Sequence, residues 1–175
     1  MAPEPELVIR HATTDDFETW FELYDAVAGE GRWIGGEQPV DRGRRREVFE
    51  RYIASDDATT LIAEIDGRVI GNLGIEVSRG IAEIGMMVEA TWRGRGVGSK
   101  LMESCIAWVT EHGAHKITLT LWPHNAAALA LYRKFGFVEE ATLHRHYRRH
   151  NGQLWDAIGM GLVLDWGSPG GPEAP

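Results

Sequence analysis

Three glycines at two-residue intervals, Gly94, Gly96 and Gly98, stand between an apolar run at residues 81–88 and a stretch where Val97, Leu101, Cys105 and Val109 recur at helical spacing. That arrangement allows one local path: strand, tight glycine turn, helix. The first turn of a helix has backbone N–H groups without intrahelical partners and carries about half a positive charge. Glycines let an anion come close to such a backbone. Arg93 and Arg95 add positive charge to the same loop. The segment therefore reads as an anion site, with phosphate the first candidate. It is not a Walker loop, because the lysine of Gly98-Ser99-Lys100 is misplaced and Arg93 stands where the first glycine belongs. It is not a dinucleotide fingerprint either, because the glycine spacing differs and the preceding strands read as antiparallel.

The rest of the chain supplies that antiparallel context. Residues 7–10 read as a short strand. Thr14 reads as the N-cap of a helix whose inward face carries Phe17, Trp20, Tyr24 and Val27 and which stops at Gly29. A glycine-rich loop, residues 29–40, leads to a second helix at 41–55, with Val48, Phe49, Tyr52 and Ile53 inward and Arg42, Arg44, Arg45 and Arg46 as a solvated face. Strands at 59–65 and 68–77 join through Asp66-Gly67, a strong hairpin signal. Ser78-Arg79-Gly80 then turns the chain into the strand before the glycine loop. After the helix at 97–112 come a strand at 116–122 and a helix capped by Asn125. Two long strands, 137–147 and 155–164, flank the Asn151-Gly152 turn. The order β-α-α-β-β-β-α-β-α-β-β is that of an α+β domain, a mixed sheet with helices on both faces. We expect a single domain over residues 6–164 and a disordered tail over 165–175, with residues 1–6 frayed.

Composition narrows the function. A chain of 175 residues with 43% apolar and 25% charged residues is an ordinary globule. Its net charge of -8 argues against nucleic acid and against an anionic membrane surface as partners. One cysteine, Cys105, permits no internal disulfide and suits a reducing compartment. No apolar run reaches the roughly 20 residues that span a bilayer, and the start of the chain does not read as a secretory leader. The expected localisation is cytoplasmic.

The loop Arg93-Gly94-Arg95-Gly96-Val97-Gly98 resembles the acyl-CoA pyrophosphate loop of the GNAT superfamily of N-acetyltransferases. A second segment, Asn125-Ala126-Ala127-Ala128-Leu129-Ala130-Leu131-Tyr132-Arg133-Lys134-Phe135-Gly136-Phe137, resembles that family's N-x-x-A-x-x-L-Y-x-K-x-G-F signature. Their separation and the element order agree with it. The resemblance implies a GNAT-like fold, a twisted, mostly antiparallel sheet splayed between the fourth and fifth strands. It also implies acetyl-CoA as cosubstrate and transfer of its acetyl group to a primary amine, by direct attack in a ternary complex. The acceptor could be a small molecule, an amino acid or a protein or peptide N-terminus. A homodimer is a further implication, with the C-terminal hairpin available to form it. A non-catalytic acyl-CoA-binding module is the alternative.

Within that reading, the backbone of Arg93, Gly94, Arg95, Gly96, Val97, Gly98 and Ser99 would hold the phosphates. Met86, Met87 and Val88 would offer main-chain groups to the pantetheine arm and the thioester oxygen. Asn125 matches the family's asparagine near that arm, and it is also a plain helix cap. Tyr132 matches the signature tyrosine. A phenol with a pKa of about 10 is protonated at neutral pH and can give a proton to a leaving thiolate, or the ring can simply pack. Glu83 is the candidate base, with pairing to a neighbouring cation or exposure to solvent as the other reading. Trp33 and Glu37, in the glycine-rich loop, are candidates for contact with the acceptor. No metal is expected: His144 and His146 share a strand face by alternation, but no third ligand joins them.

Overall fold

The computed structural model describes residues 6–165. Our expectations for residues 1–5 and for the tail WGSPGGPEAP concern residues outside that span. Seven strands form one sheet in the order β1-β2-β3-β4-β5-β7-β6. In chain order the elements are β1 (Val8–His11), α1 (Phe17–Gly29), α2 (Arg42–Ala54), β2 (Ala58–Ile65), β3 (Arg68–Ser78), β4 (Ile81–Val88), α3 (Val97–Glu111), β5 (Lys116–Leu121), α4 (Ala126–Lys134), β6 (Val138–Arg148) and β7 (Leu154–Val163). This is the expected order, with boundaries shifted by one or two residues.

Two cores lie on opposite faces of the sheet. On one face Val97, Leu101, Met102, Cys105 and Val109 of α3 and Leu129 and Tyr132 of α4 pack against Leu61, Leu73, Ile75, Ala82 and Ile84. On the other, Phe17, Trp20, Leu23 and Val27 of α1 and Phe49 of α2 pack against Ile62, Val69 and Met87. Alternation along β4 produces this split: Ala82 and Ile84 join the first core, and Met87 joins the second.

The β2-β3 hairpin turns at Asp66 and Gly67, both at positive φ, as the Asp-Gly pair requires. β3 and β4 then pair along their full length, from Gly71↔Val88 to Ser78↔Ile81. β4 and β5 run parallel and pair only at Ile81↔Lys116, Ala82↔Ile117 and Glu83↔Thr118. Beyond Glu83 they part, and β5 continues against β7 up to Leu121↔Ile158. The expected splay between the fourth and fifth strands is present, and it leaves one edge of residues 84–88 free of strand partners.

Three local expectations need correction. Thr14 is not the N-cap: a 3-10 turn, Thr14–Asp16, precedes α1, and the Thr13 N–H donates to Asp16 Oδ2 at 2.7 Å. Of the four residues expected inward on α2, only Phe49 is fully buried. The α2 arginines are not simply solvated. Arg46 pairs with Glu18 at 2.7 Å and its guanidinium lies 3.9 Å from the centre of the Phe17 ring. Arg42 pairs with the same glutamate and covers Phe21. These arginines brace α2 on α1 through contacts that periodicity cannot reveal.

Asp16 also accepts both arms of Arg10, at 2.8 and 2.7 Å, and Arg10 Nε donates to Glu64 at 2.8 Å. This network ties β1 and β2 to the start of α1. The Arg10 guanidinium holds the Asp16 carboxyl at about 2, below its ordinary 3.8. A depressed folded-state value stabilises the fold above the ordinary value, and that stability is lost as pH falls from 3.8 through about 2. Asp16→Asn should therefore lower the denaturation midpoint at pH 7, and its deficit against the parent should shrink as the pH falls toward 2. A deficit that stays constant with pH would contradict this role for the ion pair.

Candidate active site

The parted strands open two clefts that meet at the second half of β4. The first, about 480 Å³, runs from the gap toward the start of α3. Of the residues expected to hold a phosphate-bearing cosubstrate, Met86, Met87, Val88, Arg93, Gly94, Gly96, Gly98, Ser99, Asn125 and Tyr132 all line it. Arg95 and Val97 do not. Arg95 lies over the Trp92 ring at 5.1 Å, and Val97 is buried in the core.

The glycines shape this cleft in two ways. Gly94 and Gly96 have φ of 74° and 84°, a region that disfavours residues with a Cβ. Gly98 is a close approach: a Cβ there would lie 3.0 Å from Leu131 Cδ2 and 3.4 Å from Met86 Sδ. The first α3 N–H in a helical bond is that of Lys100, donating to Gly96 O at 3.1 Å. The N–H groups of Val97, Gly98 and Ser99 therefore precede the first bonded turn, where donors have no intrahelical partner. An elongated anionic ligand with a flexible arm fits this combination of free strand edge, glycine turn and helix start.

The Arg93 side chain has protein partners that the sequence did not suggest. Its two terminal nitrogens fork onto Glu30 at 2.8 and 2.6 Å, and Nε donates to Val88 O at 2.9 Å. Its charge is thus offset by Glu30, and the side chain ties the end of β4 to the end of α1. Lys134 Nζ, 3.5 Å from Ser99 Oγ, places another cation beside the first turn of α3. Sequence reasoning did not place it there.

The second cleft, about 650 Å³, opens on the α1-α2 face of the sheet. Its floor is β3 and β4, with Glu83, Gly85 and Met87 alternating on one side and Asn72, Gly74 and Glu76 on the other. Trp20, Tyr24, Tyr52, Trp122 and Tyr147 wall it. Trp33, Ile34, Met86, Met87, Asn125, Ala128 and Tyr132 line both clefts, so these residues mark the junction.

Tyr132 is 6% exposed, and burial raises its phenol above the ordinary value, keeping it protonated across the neutral range. Asn125 caps α4, accepting from the Ala128 N–H at 3.2 Å, while lining both clefts. Glu83 reaches the second cleft and has no ion pair among the described residues. Tyr52 faces that same carboxylate and donates to Glu76 at 3.2 Å; its hydroxyl is pushed up to about 12, chiefly by burial and then by Glu76.

Trp33 lies at the junction, with Nε1 donating to Glu30 at 2.6 Å. Glu37 is not in either cleft. Its carboxylate accepts from the His150 N–H at 3.0 Å and pairs with Arg149 Nε at 3.0 Å. Arg149 is 4% exposed, donates to the carbonyls of Ile34 and Gly31 at 3.2 Å each, and lies over the Trp155 ring. This clamp fastens the glycine-rich loop to the β6-β7 hairpin. His144 Nδ1 lies 3.3 Å from Asp156, and Arg145, at φ 50°, breaks the alternation that would have set His146 beside it. Thr60, Asn72, Glu76, Trp122 and Tyr147 were not singled out from sequence, although polar Asn72 in a central strand was a visible signal.

Comparison with known proteins agrees with this geometry. The profile of the Acetyltransferase (GNAT) family matches residues 16–137. The L-amino acid N-acetyltransferase AaaT of Escherichia coli K12 is 32% identical over 167 residues, covering 90% of this chain and 98% of that protein. The crystal structure of a ribosomal-protein-alanine N-acetyltransferase from Brucella melitensis superposes with a TM-score of 0.82 at 28% identity, covering 90% of this chain and 99% of the other. An acetyltransferase from Salmonella typhimurium, solved with its cofactor acetyl-CoA, shares the fold with a TM-score of 0.81 at 24% identity over 93% of this chain and 96% of the other.

Proposed function

The chain belongs to the GNAT family of acetyltransferases, and from that premise we propose how its two clefts divide the work of acetyl transfer. The protein is an acetyl-CoA-dependent N-acetyltransferase that acts on a primary amine. The observation that supports the division is the meeting of the clefts at Met86, Met87 and Tyr132. One side has the glycine turn and helix start suited to phosphates, and the other has a walled floor suited to a small acceptor.

Acetyl-CoA supplies an acetyl group activated as a thioester. In our reading the free edge of β4 orients its arm, and the N–H groups at the start of α3 meet its phosphates. The Val88 backbone N–H, on the β4 edge turned away from β3, stabilises negative charge as it develops on the carbonyl oxygen. The acceptor enters from the second cleft and attacks directly. Glu83 takes the proton that the ammonium must lose, through water along the cleft floor. Tyr132, held protonated by burial, gives a proton to the departing thiolate and is restored by the second proton, which the acylated nitrogen loses. Both roles are part of the proposal.

For the acceptor we propose an L-amino acid, supported by the 32% identical relative of that activity and by a cleft of small-molecule size. Residues 6–164 act as a single domain in this reading, supported by one continuous sheet. A cytoplasmic location is supported by the single buried thiol. A homodimer is supported by β6, an 11-residue edge strand with Val138 60% exposed. Sedimentation at twice the subunit mass would bear the dimer out, and sedimentation at the subunit mass would overturn it.

Release of free CoA thiol over a panel of L-amino acids and simple amines tests the activity. Burial pushes the Cys105 thiol up to about 12, so the protein contributes little background. Tyr132→Phe should lower turnover about 10²-fold or more with little change in the KM for acetyl-CoA. Unchanged turnover would leave Tyr132 a packing residue.

A further inference from the structure

Three polar or charged residues are buried among those described: Thr60 at 4%, Asn72 at 8% and Arg149 at 4% exposure. Arg149 is fully engaged in the clamp. Thr60 and Asn72 differ from it, since neither side chain hydrogen-bonds another group of the protein, and both line the second cleft. Among the described residues, the side-chain polar atoms sealed from solvent without a hydrogen bond are Trp20 Nε1 and Glu89 Oε2, the latter 3.1 Å from Arg68 Nη2. The Asn72 amide and the Thr60 hydroxyl therefore keep an open side, and that side is the cleft. A buried polar group without a partner weakens a fold, and an apolar side chain of the same shape would serve the sheet better.

Register places the pair. Asn72 is the cross-strand partner of Met87, at the junction of the clefts. Thr60 is the partner of Gly74, which in turn faces Gly85, so it lies diagonally one step from Asn72 on the same face. Such diagonal neighbours are about 7–8 Å apart, close enough for one small group to touch both. Gly85 leaves the floor low, since a Cβ there would meet nothing within 4 Å, whereas one on Gly74 would meet Tyr52 Cε1 at 3.4 Å. The carboxylates Glu76 and Glu83 face each other at the far end, four residues from Met87, or about 13 Å along the strand.

An α-amino acid carries its carboxylate on the carbon that bears the reacting nitrogen. With the nitrogen at the junction, the carboxylate meets groups at that end; Glu76 and Glu83 would repel it, and Arg45, the cation among the cleft's lining residues, lies over the Tyr24 ring. Resting on the acetyltransferase reading above, we propose that Asn72, with Thr60, binds the α-carboxylate of an amino-acid acceptor and so separates amino acids from simple amines. The Asn72 amide and the Thr60 hydroxyl each donate to a carboxylate oxygen. The acceptor's own side chain lies over Gly85, where the floor is open, beside the Tyr52 ring that covers Gly74.

The test uses the full chain and the CoA thiol assay. The probes are the fastest of the twenty L-amino acids and the amine it becomes without its carboxylate, leucine and 3-methylbutylamine for example. The parent should favour the amino acid. Asn72→Leu and Thr60→Val should each lower kcat/KM for the amino acid about tenfold more than that for the amine. Neither should lower the melting temperature by much, because neither side chain hydrogen-bonds the rest of the protein. Equal losses for the two acceptors, or a parent that does not distinguish them, would overturn the proposal. Acetylation of amines but of no amino acid would overturn it while leaving the transferase reading intact. No acetylation of any amine would overturn both.

Discussion

Everything in this site depends on β4 having a strand partner along its whole length on one side and only at its start on the other. Pairing with β3 keeps β4 straight and central, from Ile81 to Val88. Pairing with β5 ends at Glu83↔Thr118, because β5 follows β7 instead. The free edge of residues 84–88 lies within the protein, where unpaired backbone groups are costly unless a ligand or water meets them. Leu131 of α4 and Met86 of β4 both crowd Gly98, where a Cβ would lie 3.0 and 3.4 Å from them. Gly98 is thus needed for packing as well as for access.

The glycine-rich loop between α1 and α2 forms the wall between the clefts, and two arginines hold it. Arg93 anchors its start through Glu30, and Arg149 anchors its middle through three backbone carbonyls and Glu37. These two contacts use the charge that a sequence reader would assign to ligands. In the proposed reading, anion recognition falls to backbone N–H groups, with Lys134 beside them. Placing Trp33 at the junction is a consequence of the same anchoring.

Strands, helices and the glycine turn were legible because each rests on local chemistry: period, turn residues and the demand for positive φ at Gly94 and Gly96. The cleft-lining role of most of the loop was legible for the same reason. What could not be read were the partners that only tertiary pairing creates. Glu30 opposite Arg93 and Glu37 opposite Arg149 are 63 and 112 residues apart in the chain. Thr13 rather than Thr14 is the cap, its N–H donating to the same Asp16 carboxylate that accepts from Arg10. Arg145 breaks the alternation of β6 where the sequence shows no turn residue. Asn72 was visible as a polar residue in a strand, but its lack of a partner needed the sheet order.

The central claim is that the free edge of β4 and the start of α3 receive acetyl-CoA. Backbone hydrogen exchange with and without acetyl-CoA measures this directly. The account predicts slowed exchange at residues 84–88 and 94–99 when acetyl-CoA is bound. Binding that leaves both segments unchanged, with protection elsewhere, would contradict it.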